Sequence, residues 1–201
     1  VLKIGLFCSG VHDRKAAEFA MDHSGIPRKG AKRLYYRRGH WRGAAAVEYE
    51  DGSQRAFSYT KSICAYKNAG FFVKQSCLKC KAQFAACADI SFGDVWLREV
   101  KKDAVKYTGF IVRSQHALEM LKTAHQQGDI RMRPLSGRQI LQSQMRALTL
   151  KYRENCWNHR LAGWLEEKNR IFSAEHPDLL QKAPLPVLYV YMCAIRVLLS
   201  W

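Results

Sequence analysis

The stretch DISFGDVW at residues 89–96 places an apolar run directly before a Gly-Asp pair. A short apolar run that ends at a glycine predicts a buried strand leading into a loop. A second apolar run at residues 108–113 predicts another strand, and residues 114–127 follow with apolar side chains at helical spacing. Gly128 comes directly after this pattern, where glycine favours the end of a helix. The centre of the chain therefore predicts two strands and an amphipathic helix.

The first residues of the chain predict a strand followed by a helix. Residues 1–7 form an apolar run typical of a buried strand, and residues 12–23 carry apolar side chains at roughly helical spacing. Gly25 and Pro27 are expected to end that helix. Because a strand pattern begins at Val1, we expect the chain to have been cut from a longer protein.

The region between these two segments predicts a hairpin. Residues 31–59 contain three strand patterns, and the turn sequence at 50–53 separates two of them. Residues 60–72 predict a helix, and residues 75–87 predict a loop that contains Cys and Lys. The fold class expected for the whole chain is α/β, of the mixed α+β kind, with a mixed sheet flanked by helices.

The C-terminal third predicts helices. The segments are helices at 136–150 and 151–172, a proline-containing separator at 177–186 and an apolar segment at 187–201. We therefore predict a domain over residues 1–150 and a helical C-terminal extension over residues 151–201.

The apolar segment from Leu185 to Trp201 carries one charged residue, Arg196. It is shorter than the roughly 20 apolar residues of a membrane-spanning helix. It also lacks the strongly charged face of helices that lie on a membrane surface. We expect it to pack against protein, either its own domain or an upstream domain, and we expect no membrane contact.

Composition narrows the class of protein. The 201 residues are 48% hydrophobic, which is enough for one main core. Seven cysteines, an odd number, occur without a secretory signal, which favours thiols or metal ligands in the cytoplasm over a disulfide framework. The net charge of +16 attracts anions, which include nucleic acid, acidic proteins and anionic cofactors.

Cys77 and Cys80 form a Cys-x-x-Cys motif that suits a soft metal or an iron–sulfur cluster. A thioredoxin-type redox pair would need a helix directly after a strand, and two structural cysteines remain a further alternative. A closed cluster takes four thiolates. Cys87 is nearby in the sequence, and Cys8 is at the end of a predicted strand, where a ligand could project. A zinc site is the rival, although no His lies between His40 and His116 to complete it.

A basic run lies between Asp22 and Glu48, a stretch without any Asp or Glu. Its cations are Arg28, Lys29, Lys32, Arg33, Arg37, Arg38 and Arg42, with Tyr35, Tyr36 and Trp41 among them. Basic and aromatic side chains together can bind single-stranded nucleic acid, an anionic cofactor tail or an acidic redox partner. A solvated basic face with aromatics in the core is the simpler alternative.

The pair Gly93-Asp94 ends the central strand. A glycine at this place permits close approach of a ligand, and a carboxylate can accept hydrogen bonds from it. An ordinary turn at the end of a strand explains the same pattern, and the residues alone favour it.

Four stretches together resemble a known family. They are IGLFCSG at 4–10, CLKC at 77–80, ADISFGDVW at 88–96 and GFIVRS at 109–114. In order and spacing they are similar to the C-terminal domain of the coenzyme F420 hydrogenase/dehydrogenase beta subunit. The resemblance covers about residues 1–150. The loop after Cys80 departs from the family pattern, and the family's ferredoxin-like cysteine clusters are absent from this sequence.

The resemblance implies an oxidoreductase with FAD beside a 4Fe–4S cluster, passing electrons to or from coenzyme F420 or another organic substrate. It implies Cys8, Cys77 and Cys80 as cluster ligands, with the fourth from an upstream part or from Cys87. For the flavin we predict that Gly93, Asp94 and Arg113 line one concave face near the cysteine loop, with Arg113 available to a phosphate or ring oxygen.

The implied partners are an anionic, F420-like coenzyme or an acidic electron-carrier protein, together with an upstream domain or partner subunit. No specific nucleic acid is expected. The alternative function is a non-enzymatic, zinc-stabilised module that binds nucleic acid through residues 28–42.

Overall fold

The computed structural model describes residues 1–39, 43–100, 103, 105–152 and 159–200. These residues form two compact units. The first unit contains Val1–Ser9 and Lys81–Lys151, and the second contains Gly10–Cys80 and Tyr152–Trp201.

Strands and helices are interspersed along the chain. In order they are β1 (Ile4–Leu6), α1 (Arg14–His23), β2 (Ala31–Arg38), β3 (Ala44–Tyr49), β4 (Gln54–Phe57), α2 (Ile63–Asn68), α3 (Gln75–Lys79), β5 (Ile90–Asp94), β6 (Thr108–Val112), α4 (Gln115–Gln126), α5 (Gly137–Lys151), α6 (His159–Glu175), α7 (Pro177–Lys182) and α8 (Leu185–Ser200). The mixed α/β class is therefore confirmed, with its strands divided between two sheets.

The first unit is built on a mixed sheet in the order β1-β5-β6. β1 runs parallel to β5, and β5 runs antiparallel to β6, with Gly93 opposite Gly109. Gly93 has no room for a side chain, because an added Cβ would lie 2.4 Å from the Phe7 Cβ. The glycine that ends the central strand is thus required by the packing of Phe7 across the sheet.

Helix α5 is fastened to β5 by a buried amide pair. The Gln83 side chain, 1% exposed, donates from Nε2 to Gln144 Oε1 at 3.1 Å. Gln144 in turn donates from Nε2 to the Asp94 carbonyl oxygen at 2.6 Å. The hydrogen bond from Gln144 to the Asp94 carbonyl oxygen holds the end of β5 against α5.

The second unit contains the antiparallel sheet β2-β3-β4. The predicted hairpin joins β3 to β4 through a turn in which the Ser53 N–H donates to the Asp51 carboxylate at 2.9 Å. One face of the sheet buries Val47 in a cluster that includes Ala20 and Met21 of α1. Asp13 caps α1 by accepting from the Ala16 N–H at 3.2 Å, which satisfies a donor left open at the helix start.

Helices α6 and α8 also belong to the second unit, and α8 packs against α2 and α6. Asn169 of α6 donates from Nδ2 to the Ala69 carbonyl oxygen at 2.6 Å. Leu188 and Ile195 of α8 are buried, whereas Val187 and Val190 are exposed. The apolar C-terminal segment therefore packs on protein within its own unit. Across the part of the chain that the structure describes, every helix falls short of the length and hydrophobicity that a membrane crossing requires.

The prediction of a buried strand at residues 1–7 is wrong, because β1 covers only Ile4–Leu6 and the side chains of Ile4 and Leu6 are exposed. Three further local predictions differ from the structure. Residues 75–79, predicted as loop, form the short helix α3. The predicted helix at 60–72 is confined to α2, because the chain turns at Gly70 and Phe72, both with positive φ. The proline-containing separator includes α7, since Pro177 occupies the first turn, where a missing N–H costs nothing.

Candidate functional site

The Cys-x-x-Cys motif lies on α3 in the second unit. Cys77 is within the helix and Cys80 is its C-terminal cap, with its backbone N–H donating to the Cys77 carbonyl oxygen at 3.3 Å. Both side chains are partly exposed, and each of the six described cysteines is a thiol rather than half of a disulfide. The short helix therefore carries two partly exposed thiols close together in the sequence.

The backbone of the segment after Gly10 supports Cys77. The Val11 N–H donates to Cys77 Sγ at 3.3 Å, and the Lys74 N–H donates to the Val11 carbonyl oxygen at 3.1 Å. Backbone N–H groups that donate to sulfur are also found in sites where cysteine sulfurs bind metals. No sequence motif points to Val11, because the contact joins residues that are 66 positions apart.

Cys8 follows β1 in the first unit. Its backbone N–H donates to the Gln83 carbonyl oxygen at 3.0 Å, and its side chain is partly exposed. Of the other cysteines, Cys87 is exposed and Cys64 accepts a hydrogen bond from Asn68 Nδ2 at 3.2 Å, which suits a structural role. Cys156 lies outside the described residues. Among those that are described, no three side chains of His, Cys, Asp or Glu are grouped so that they could hold a metal ion.

Gly93 and Asp94 end β5, which belongs to the first unit. Asp94 is half-buried, and its backbone position is held by the hydrogen bond from Gln144. Gly93 lies under Phe7, whose ring packs edge-on against Phe84 with centroids 5.1 Å apart. A half-buried carboxylate on a backbone fixed in this way is a suitable group to orient a polar ligand.

Arg113 follows β6 and binds the segment before β5. Its guanidinium donates from Nη1 to Ser91 Oγ at 3.0 Å and to the Ala88 carbonyl oxygen at 3.3 Å. Nη2 donates to the Phe84 carbonyl oxygen at 2.9 Å. These three bonds give Arg113 a positioning role, because they hold residues 84–91 against the sheet.

Asp89 connects the same segment to the backbone near the start of the chain. The Lys3 N–H donates to its carboxylate at 2.8 Å, and this hydrogen bond is the main reason that the pKa of Asp89 lies below its ordinary value. The Arg113 N–H donates to the Asp89 carbonyl oxygen at 2.7 Å. Asp89 and Ser91 are residues that sequence reasoning did not single out, since both read as ordinary members of a strand.

A comparison with known families shows the family to which the chain belongs. Residues 1–138 match the family described as the C terminus of the coenzyme F420 hydrogenase/dehydrogenase beta subunit. The chain is a member of that family. The suspected resemblance is thereby confirmed, and the chain belongs to a class of oxidoreductase subunits. No curated protein matches the chain.

The basic run of residues 28–42 falls into two parts in the structure. Arg28 lies 3.0 Å from Asp22 and 3.5 Å from Glu18, which compensate its charge. Lys29 precedes the edge strand β2, and the remaining described cations lie along that strand. We call Lys32, Arg33, Arg37 and Arg38 the β2 cationic face. Trp41 and Arg42 lie outside the described residues.

The β2 cationic face is organised around Tyr35. The guanidinium carbons of Arg33 and Arg38 lie 5.9 and 4.9 Å from the centroid of its ring. Arg38 also donates from Nη1 to Gln54 Oε1 at 2.7 Å, a neutral oxygen that leaves its charge uncompensated by that contact. Cations held in place by aromatic and amide groups remain able to attract an anion.

His12 is a further polar residue near the cysteine motif that sequence reasoning missed. Its ring packs on Tyr36 with centroids 5.3 Å apart, and residue 12 forms an isolated β-bridge with Val73. Burial is the largest influence on its pKa and lowers it, and the charge of Lys67 lowers it as well. A neutral ring is therefore favoured at this position.

Proposed function

We propose that this member of the coenzyme F420 hydrogenase/dehydrogenase family is the redox domain of an iron–sulfur flavoprotein. The observation that carries the proposal is the family match over residues 1–138, combined with the Cys77–Cys80 pair on α3. The expected cofactors are a 4Fe–4S cluster and FAD. When bound, the flavin supplies hydride chemistry and the cluster supplies single electrons.

For the cluster we propose Cys8, Cys77 and Cys80 as ligands, with a fourth from Cys87 or from outside this chain. Cys77 and Cys80 are partly exposed thiols on one short helix, and Val11 donates a backbone hydrogen bond to Cys77 Sγ. Such N–H to sulfur bonds are among the features that set the reduction potential of iron–sulfur clusters.

For the flavin we propose a site formed by Gly93, Asp94 and Arg113. Asp94 is the half-buried acceptor at the end of β5, on a backbone fixed by Gln144. Arg113 already holds residues 84–91 through three donated hydrogen bonds, so we propose that it orients the wall of the site and adds positive charge beside it.

The proposed substrate is coenzyme F420 or another organic hydride acceptor or donor, in a cytoplasmic enzyme with partner subunits. We propose that the β2 cationic face receives an anionic coenzyme or an acidic electron-carrier protein. Support comes from Arg33 and Arg38, which Tyr35 holds at the edge of the sheet.

The experiment that tests this function is an absorption spectrum of the full chain after anaerobic purification, with iron, sulfide, zinc and flavin analysis of the same sample. Visible flavin and iron–sulfur bands are expected. A colourless protein that contains zinc and binds single-stranded DNA would contradict the proposal and favour the nucleic-acid-binding alternative.

Charge variants whose binding is measured at several salt concentrations test the proposed role of the β2 cationic face. Replacing Arg33 and Arg38 together by Gln is expected to weaken binding of an acidic ferredoxin about three- to tenfold at low ionic strength, because exposed charge pairs each contribute up to about 1 kcal/mol. Surface plasmon resonance measures the affinity. The effect should shrink as salt rises, since screening acts over about 10 Å at 0.1 M.

The matched control replaces Arg55 of β4 and Lys61 by Gln, which removes the same net charge from exposed positions outside β2. Equal weakening by both double variants would show that only the net charge matters and would refute a specific β2 cationic face.

A further inference from the structure

A groove of about 440 Å³ lies within the first unit, between β6, α4 and the segment that joins α4 to α5. Its walls come from Phe110 of β6, Leu118 and Leu121 of α4, and residues 132–135, with Ile140 of α5 beside them. A volume of this size is within the range of sites for small molecules, about 300–1,000 Å³. None of the candidate redox residues lines it.

The walls of the groove are largely apolar and remain accessible. Phe110, Leu118, Leu121 and Leu135 are each half-buried rather than fully covered. Apolar side chains that line a concave surface favour a ligand with an apolar body, since that body covers them on binding.

Arg133 supplies a positive charge at the groove. Its guanidinium carbon lies over the ring of Tyr107, 5.0 Å from the centroid, and Tyr107 packs against the buried residues Val95, Leu97 and Val100. A guanidinium held over an aromatic ring still has N–H groups from which a carboxylate can accept.

His125 is the second polar group on the lining and comes from the last turn of α4. Its Nδ1 lies 3.0 Å from the Ile130 carbonyl oxygen. A carbonyl oxygen only accepts, so Nδ1 carries the proton and the contact fixes the ring. Among the described residues that line the groove there is neither Asp nor Glu, and Arg133 makes their fixed charge positive.

We infer that this groove binds a small organic acid, a monocarboxylate with an apolar body of one or two rings, with Arg133 pairing with the carboxylate. The site is separate from the residues proposed for flavin and cluster. The inference rests on three observations together, namely an apolar concave surface, a guanidinium held over Tyr107, and the absence of acidic groups among the described residues of the lining.

Isothermal titration calorimetry with two probes of nearly the same shape tests the inference on the full chain. The wild-type protein is expected to bind 1-naphthoate at least about tenfold more tightly than the neutral 1-naphthamide, because a hydrogen bond to a charged group stabilises more than a neutral one. Arg133→Gln should reduce that preference to nearly none. The control Arg131→Gln removes an exposed cation of the same segment that does not line the groove, and should preserve the preference.

A second variant, Leu121→Gln, should weaken both probes by a similar factor because it makes the apolar wall polar. The inference is overturned if the wild-type protein binds neither probe or binds both equally, or if Arg131→Gln acts as strongly as Arg133→Gln. Binding of an acidic, leucine-containing peptide without binding of 1-naphthoate would assign the groove to a protein partner instead. Since the calorimetric signal needs neither flavin nor cluster, its failure would leave the proposed redox function untouched.

Discussion

Replacing Cys77 by alanine is expected to abolish the iron–sulfur absorption of the anaerobically purified protein and to remove most of its iron and sulfide. The physical reason is that a closed cluster depends on its thiolate ligands, and Cys77 is also the sulfur that accepts the Val11 N–H bond. Visible spectroscopy with iron and acid-labile sulfide analysis gives the result directly.

Cys64→Ala is the matched control, because Cys64 is a partly buried thiol of the same unit whose hydrogen bond comes from Asn68 four residues away. This variant should retain the cluster, with at most a loss of stability. If Cys77→Ala keeps a full cluster, Cys77 is not a ligand. If both variants lose the cluster, circular dichroism will show whether they have also unfolded. In that case the Cys77→Ser variant distinguishes the loss of a ligand from the loss of the fold.

The second large effect is expected for Gly93→Ala, which should lower the free energy of unfolding by about 3 kcal/mol, the upper part of the usual range for overpacking. The added Cβ would lie 2.2 Å from Phe7 Cδ2 and 2.4 Å from Phe7 Cβ. Rotating the Phe7 ring does not relieve a clash with Cβ, so the backbone beside β5 must move.

Gly137→Ala is the control for this experiment. Gly137 begins α5, and an added Cβ there meets nothing within 4 Å. Because alanine restricts the unfolded chain without strain, this variant should be neutral or more stable by about 0.4–1 kcal/mol. Urea unfolding followed by circular dichroism compares the two. A Gly93→Ala protein as stable as wild type would show that the packing of Phe7 adapts freely.

Much of the local structure follows from short-range patterns. The helical spacing at 114–127 and Gly128 anticipated α4, and the turn sequence at 50–53 anticipated the β3–β4 hairpin. These features depend on residues within a few positions of one another, so the sequence contains their physical cause. The error at α3 also has a local reason, since five residues are too few to show a helical repeat.

Short-range sequence patterns did not give the roles of several residues at the candidate site. Gly93 suggested close approach of a ligand, whereas the structure shows that Phe7 occupies the space where its side chain would lie. Arg113 suggested a charge for a phosphate, whereas its donors hold Phe84, Ala88 and Ser91. The cofactor assignments of both residues, and the division of the chain at residue 150, stay predictions.

By itself the sequence determined the mixed α/β class, most of the strands and helices, and the family, because each depends on short motifs in a fixed order. Only the tertiary structure decided that the strands form two sheets, that Val11 donates to Cys77, and that Tyr107 anchors Arg133 beside an apolar groove. Val11 and Cys77 are 66 positions apart, and Tyr107 and Arg133 lie on different segments of the first unit. Contacts of this kind form because packing brings distant segments together, and no local pattern of side chains encodes them.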